Sequence, residues 1–268
     1  MTYLAALLLA GLPAPSRAQA VFDRMDQRGE LLGWEAVGRV ETGDGFCTGT
    51  LIARDVVLTA AHCLFDDTGR PIPAARIGFR AGYHRGQSIA DRKVVRWLAA
   101  SGFRDSAGGQ LNGTMIANDV ALLRLDRAVV SAEADPFRVH QSSRAGTRVS
   151  VVSYGQGREE VLSRERSCDL TAEYSDGVLA FDCDVTFGSS GAPVFVSVDG
   201  RMRILSVISA LGRMQDGGKA AFGMRLHTHV AVLMGRLRRD AARPKISIGA
   251  RRLDAGQRNE TGARFVRP

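Results

Sequence analysis

Gly188-Ser189-Ser190-Gly191-Ala192-Pro193, continued without a break by Val194-Phe195-Val196-Ser197-Val198, is the stretch on which the reading of this chain turns. A serine hydroxyl is a poor nucleophile at neutral pH and needs a base to take its proton during attack. Flanking glycines permit a tight turn that exposes the side chain and lets a substrate backbone approach. Taken alone, the segment is a Gly-Ser loop ahead of a β-type run. Two earlier segments change its weight: Leu58-Thr59-Ala60-Ala61-His62-Cys63, and Asn118-Asp119-Val120-Ala121-Leu122-Leu123. His62 is the candidate general base and then acid, because an imidazole titrates near neutrality and suits both proton transfers. Asp119 is the candidate orienter, a carboxylate that would fix the imidazole tautomer and stabilise the imidazolium. His84, His140, His227 and His229 lack such a setting and read as structural.

The pattern around these segments is short β-type runs broken by Gly, Asp, Asn and Ser. Val56-Val57-Leu58, Ala121–Leu125, Arg148–Val152, Pro193–Val198 and Arg203–Ile208 either alternate or are wholly apolar, as half-buried and buried strands are. Their frequency points to an all-β sandwich or barrel. Helical periodicity is scarce before His227–Arg238, where Val230, Leu233, Met234 and Leu237 recur at helical spacing. Arg236 and Arg238 then suit the C-terminal end of the helix dipole.

The 268 residues are enough for one large domain or two small ones sharing a core. Leu4–Leu12 is a short apolar run, and Ala18-Gln19-Ala20 is a small-x-small cleavage site, so residues 1–20 read as a secretory leader. No apolar run reaches the roughly 18–20 residues of a transmembrane helix. Cysteine usage agrees with export: Cys47, Cys63, Cys168 and Cys183 form two sequence-local pairs, expected as Cys47–Cys63 and Cys168–Cys183. Neither CxxC nor HExxH spacing occurs, so no metal site is expected. The net charge of +8 is concentrated in residues 236–268, with ten Lys or Arg against three acids. The body over residues 21–235 is neutral. The basic tail reads either as a solvated extension or as a contact for an anionic partner.

With these residues in place, the chain resembles the chymotrypsin/trypsin-like serine peptidase family, whose triad runs His, Asp, Ser along the sequence. The resemblance covers roughly residues 33–238 and implies two six-stranded antiparallel β-barrels with the active site between them, then a C-terminal helix. The expected organisation is a leader (1–20), an N-terminal barrel with an extension (21–137), a C-terminal barrel and helix (138–238), and a flexible tail (239–268). His62, Asp119 and Ser190 would be catalytic, and the backbone N–H groups of Gly188 and Ser190 would form the oxyanion hole. No cofactor is implied. The partner would be a protein or peptide substrate, met by a secreted or periplasmic monomer.

Two departures from the animal digestive type matter. Ser189 stands where that type has an Asp that pairs with a new N-terminal amine. The nearest match to the usual activated start is Val37-Gly38-Arg39-Val40. Activation by that ion pair is therefore not expected. The pattern is similar to bacterial secreted trypsin-like peptidases, including the glutamyl-endopeptidase branch. The second departure concerns specificity. Asp184 falls where the family places the floor of the primary pocket, opposite a wall of Ser209, Ala210 and Leu211, with Gly223 further on. An acidic floor would select Arg or Lys; the adjacent Cys183 also allows Asp184 a structural role. A second reading of the whole chain keeps the fold and drops the chemistry: an exported, weakly active or inactive binding module with a basic tail for an acidic partner.

Overall fold

Alternating and wholly apolar runs dictate strands, and strands dominate the computed structural model, which describes residues 22–43, 45–105, 112–142, 144–213 and 217–242. The expected leader at 1–20 lies outside the described residues, as does the tail beyond 242. The described chain opens with β1 (Asp23–Arg24), and the first unit then holds β2 (Val37–Glu41), β3 (Phe46–Ala53), β4 (Val56–Thr59), β5 (Gly78–Ala81), β6 (Ala90–Ala99), a short helix α1 (Gly113–Asn118) and β7 (Ala121–Leu125). The second holds β8 (Arg148–Ser153), β9 (Ser163–Glu173), β10 (Val178–Phe181), β11 (Pro193–Val198), β12 (Arg201–Val207), β13 (Ala210–Arg213) and β14 (Lys219–Met224), followed by α2 (His227–Ala242).

Strands β2 to β7 close into a barrel in the order β2-β3-β4-β7-β6-β5, every pair antiparallel. Its interior is apolar, with Val40, Leu51, Val57, Phe79 and Leu123 wholly buried. The segment Val37-Gly38-Arg39-Val40 lies within β2, which is paired on both sides. The second unit is an antiparallel sheet in the order β12-β11-β8-β9-β10-β14-β13, with β1 added beside β9. Its hydrogen-bonded path is open where the first is closed, yet it wraps its own core of Val151, Leu170, Phe181, Val194 and Leu205. The architecture is thus mostly β, in keeping with the two-barrel expectation.

A further apolar layer joins the units: Leu58 and Leu122 from the first, Tyr154 and Phe195 from the second, and Leu233 and Leu237 from α2. The helix starts where its periodicity begins and runs to Ala242, four residues past the expected end. The disulfides are Cys47–Cys63 and Cys168–Cys183, closing separations of 16 and 15 residues. Among the described residues no helix is long and apolar enough to cross a membrane.

Candidate active site

Asp119 sits at the end of α1, immediately before β7, with no solvent exposure. A buried carboxylate must be satisfied by donors, and Asp119 has three. Its Oδ1 accepts from the His62 backbone N–H at 2.8 Å; its Oδ2 accepts from His62 Nδ1 at 2.7 Å and from Ser209 Oγ at 2.5 Å. His62 opens a single 3-10 turn after β4, and Cys63 ties that turn to β3. Its side chain keeps 24% exposure; the ring is pinned on the Nδ1 side, and Nε2 lies 3.8 Å from Cys63 Sγ. Burial alone would lower the imidazole pKa; the Asp119 charge and hydrogen bond outweigh it and leave the group above its ordinary value of 6.5.

Ser190 arrives from the second unit, on the loop between β10 and β11. Gly188 and Gly191 adopt φ of +89° and +75°, the left-handed region that favours glycine. A Cβ at Gly191 would stand 2.9 Å from the Ala60 backbone nitrogen and against Thr59 Oγ1 and the Thr48 carbonyl, so the loop is pressed onto the strand that delivers His62. The Thr48 backbone N–H donates to the Ser190 carbonyl at 2.9 Å, and Thr48 Oγ1 donates to the Gly188 carbonyl at 3.0 Å. Within the loop, Ser189, Gly191 and Ala192 spend their N–H groups on Thr186, Ile208 and Ser189 carbonyls. The N–H groups of Gly188 and Ser190 donate to no described residue. The Ser190 hydroxyl likewise has no hydrogen-bond partner among the described residues.

The expected wall residues divide. Ser209 is buried and bonded to Asp119. Ala210 and Leu211 begin β13, which ends the sheet path and leaves one strand edge unpaired. A recess of about 600 Å³ runs along that edge, lined by Ile116, Tyr174, Asp176, Leu211, Arg213 and Phe222 among others. Asp184 opens on a neighbouring recess of about 280 Å³, with Thr186, Phe187, Leu211, Arg213 and Lys219. Its carboxylate stands 3.6 Å from Lys219 Nζ, and its backbone N–H donates to Glu165 at 2.8 Å. Burial raises the Glu165 pKa to about 7. Gly223 lines neither recess: a Cβ there would meet the Val207 carbonyl and Ser206 Oγ.

Thr48 and Arg158 escape a motif-based reading. Thr48 had a signal, since it follows Cys47, whose disulfide partner follows His62. Arg158 had none, being one of many arginines in the sequence. Among the described residues, the acid, Cys and His group around His62 is Cys47 and Cys63, which are joined in a disulfide.

Comparison with known proteins agrees with this fold. A profile of the trypsin-like peptidase domain matches residues 47–203, which include all three candidate catalytic residues. Human cathepsin G is 29% identical over 180 residues, 65% of this chain and 63% of that protein. Mouse serine protease 23 is 30% identical over 168 residues, 56% of this chain and 43% of that protein. The chain therefore spans less than two thirds of these relatives. Among solved structures, a Glu endopeptidase in complex with MPD superposes with a TM-score of 0.63 at 18% identity, covering 77% of this chain and 91% of that one. A thermostable serine protease from an extremophilic microorganism gives 0.58 at 19% identity, covering 76% and 96%. Strand order and the profile match agree: the chain belongs to the trypsin-like peptidase domain family.

Proposed function

We propose that the protein is a secreted or periplasmic serine endopeptidase acting through Ser190, His62 and Asp119. The observation that carries this reading is the His62–Asp119 pair, bonded at 2.7 Å on the first unit, beside a second-unit loop whose serine hydroxyl and two amides have no partner among the described residues. Ser190 Oγ attacks the scissile carbonyl carbon as its proton passes to His62 Nε2. The resulting oxyanion is held by the Gly188 and Ser190 N–H groups, each worth about 3–4 kcal/mol in such a role. His62 returns the proton to the leaving nitrogen, the C–N bond breaks, and an acyl-Ser190 ester remains. Water repeats the sequence, with His62 taking its proton and Ser190 Oγ leaving. Asp119 keeps Nδ1 protonated throughout, so that Nε2 is the basic nitrogen.

The open edge of β13 suits an extended substrate that adds a strand, with side chains falling into the flanking recesses. Asp184 is partnered by Lys219, so a basic substrate side chain would have to displace that lysine. This weighs against a simple acidic floor. The two disulfides and the leader-like residues 1–20 support export to an oxidising compartment.

Cleavage of a fluorogenic peptide library by wild type and Ser190→Ala tests the reading. Ser190→Ala is expected to fold normally and to lose at least about a thousandfold in turnover. Equal turnover in the two proteins would exclude the mechanism, and the residue preceding the cut reports whether Asp184 or Lys219 dominates the recess.

A further inference from the structure

Arg158 is 7% exposed and, among the described residues, forms no ion pair. Arg92, equally buried, meets Glu133 at 2.7 Å. A buried guanidinium with no contact ion pair is costly, and burial pulls the Arg158 pKa down to about 10 although the Asp184 and Glu165 charges oppose the shift. Its hydrogen bonds run instead to the floor of the nucleophile loop. Nη1 donates to the Ser153 carbonyl at 2.8 Å; Nη2 donates to Ser153 Oγ at 3.1 Å and to Ser189 Oγ at 3.3 Å. Ser189 is wholly buried and stands between Gly188 and Ser190, the two residues whose amides are undonated. Space for the guanidinium is specific to Gly155, where a Cβ would lie 2.7 Å from Arg158 Nη2.

The other face of the guanidinium is covered by Phe22, whose ring centroid is 3.8 Å from Arg158 Cζ, a cation–π distance. Phe22 is held there by the strand that follows it. Asp23 and Arg24 pair with Arg164 and Ser163, Met25 N–H donates to the Leu162 carbonyl at 2.9 Å, and Arg24 Nη1 donates to the Gly157 carbonyl at 3.3 Å. The N-terminal strand thereby grips both ends of the segment that carries Arg158.

We propose that Phe22 and Arg158 form a clamp in which the N-terminal strand holds the guanidinium against Ser189 and so positions the Gly188 and Ser190 amides. Arg158 is a positioning residue: it touches Ser189 and no reacting atom. The effect on catalysis rests on the hydrolytic reading above, but the clamp itself does not. Ordered amides cost little reorganisation when charge develops, whereas a loose loop must be ordered in each turnover. Loosening the clamp should therefore lower kcat and spare KM.

Hydrogen exchange and steady-state kinetics on the full chain test this with Phe22→Ala, Arg158→Lys and Arg158→Met. In Phe22→Ala, exchange over residues 186–192 should rise about tenfold while β11 and β4 keep wild-type protection. The kcat of the same variant should fall at least about fivefold with KM within about twofold. Arg158→Met should fall further, and Arg158→Lys should recover part of that loss. Wild-type exchange over 186–192 in Phe22→Ala would overturn the clamp whether or not the protein hydrolyses peptides, and so decides the matter if Arg158→Met does not fold. Faster exchange in a chain inactive as wild type would uphold the clamp and sink the hydrolytic reading instead.

Discussion

At the scale of single residues, the site is organised by how Asp119 is satisfied. Two of its donors come from His62 and one from Ser209, so the carboxylate fixes both the backbone and the ring of the base. The Asp119 carboxylate holds the imidazole pKa above its ordinary value, and below that raised pKa His62 is protonated and, in the proposed mechanism, could not accept the Ser190 proton. Activity should therefore rise with pH through the His62 pKa. Asp119→Asn removes the charge that raises this pKa and leaves the burial that lowers it, so the acidic limb of kcat/KM should move to lower pH. An amide also offers Nδ1 a donor where an acceptor is needed, which favours the wrong tautomer; turnover should drop by about 10⁴. A pH–rate profile of the variant checks both effects, and a limb shifted to higher pH would contradict this account of His62. His62, Asp119 and Ser190 could be singled out as candidates in the sequence because each sits in a local motif. Ser209 was legible as a position, while its bond to a carboxylate 90 residues earlier was not.

At the scale of elements, the loop that carries Ser190 is seated by contacts between units. Thr48 on β3 bonds the Ser190 and Gly188 carbonyls, and Gly191 lets the loop lie against β4. Gly191→Ala combines a left-handed φ with a Cβ driven into backbone atoms. It should cost at least about 2 kcal/mol of stability by urea unfolding, together with most of the activity. Gly200, at φ +71° in the turn between β11 and β12, has open space around it. Gly200→Ala should show only the conformational cost of about 1 kcal/mol and keep full activity. Equal losses in the two variants would mean that the packing at Gly191 is not what seats the loop. Strands β7 and β11 were visible at their full extent, since apolar runs bounded by turn residues mark buried strands. The short helix α1 was not, because six residues carry too little periodicity. Its start is a local cap, with Asn112 Oδ1 accepting from the Met115 N–H at 2.9 Å.

At the scale of the molecule, the proposed catalytic residues are drawn from two β units that share an apolar layer, and neither unit carries them all. Residues 62 and 119 belong to the closed barrel and residue 190 to the open sheet, so the chemistry depends on the fit between them. A sequence pattern can mark which segments are strands; it cannot show the depth at which a cation is buried or which recess a lysine enters. That is why Asp184 was visible and its partner Lys219, 35 residues on, was not. The clamp of Phe22 and Arg158 was hidden for the same reason, as it joins the start of the described chain to the middle of the second unit. Treatment of the folded protein with a serine-directed fluorophosphonate, followed by peptide mapping, tests the central claim most directly. The account predicts one label per chain, on Ser190, and none in His62→Ala. A folded wild-type protein that takes no label, or takes it on Ser189 or Ser209, would contradict it.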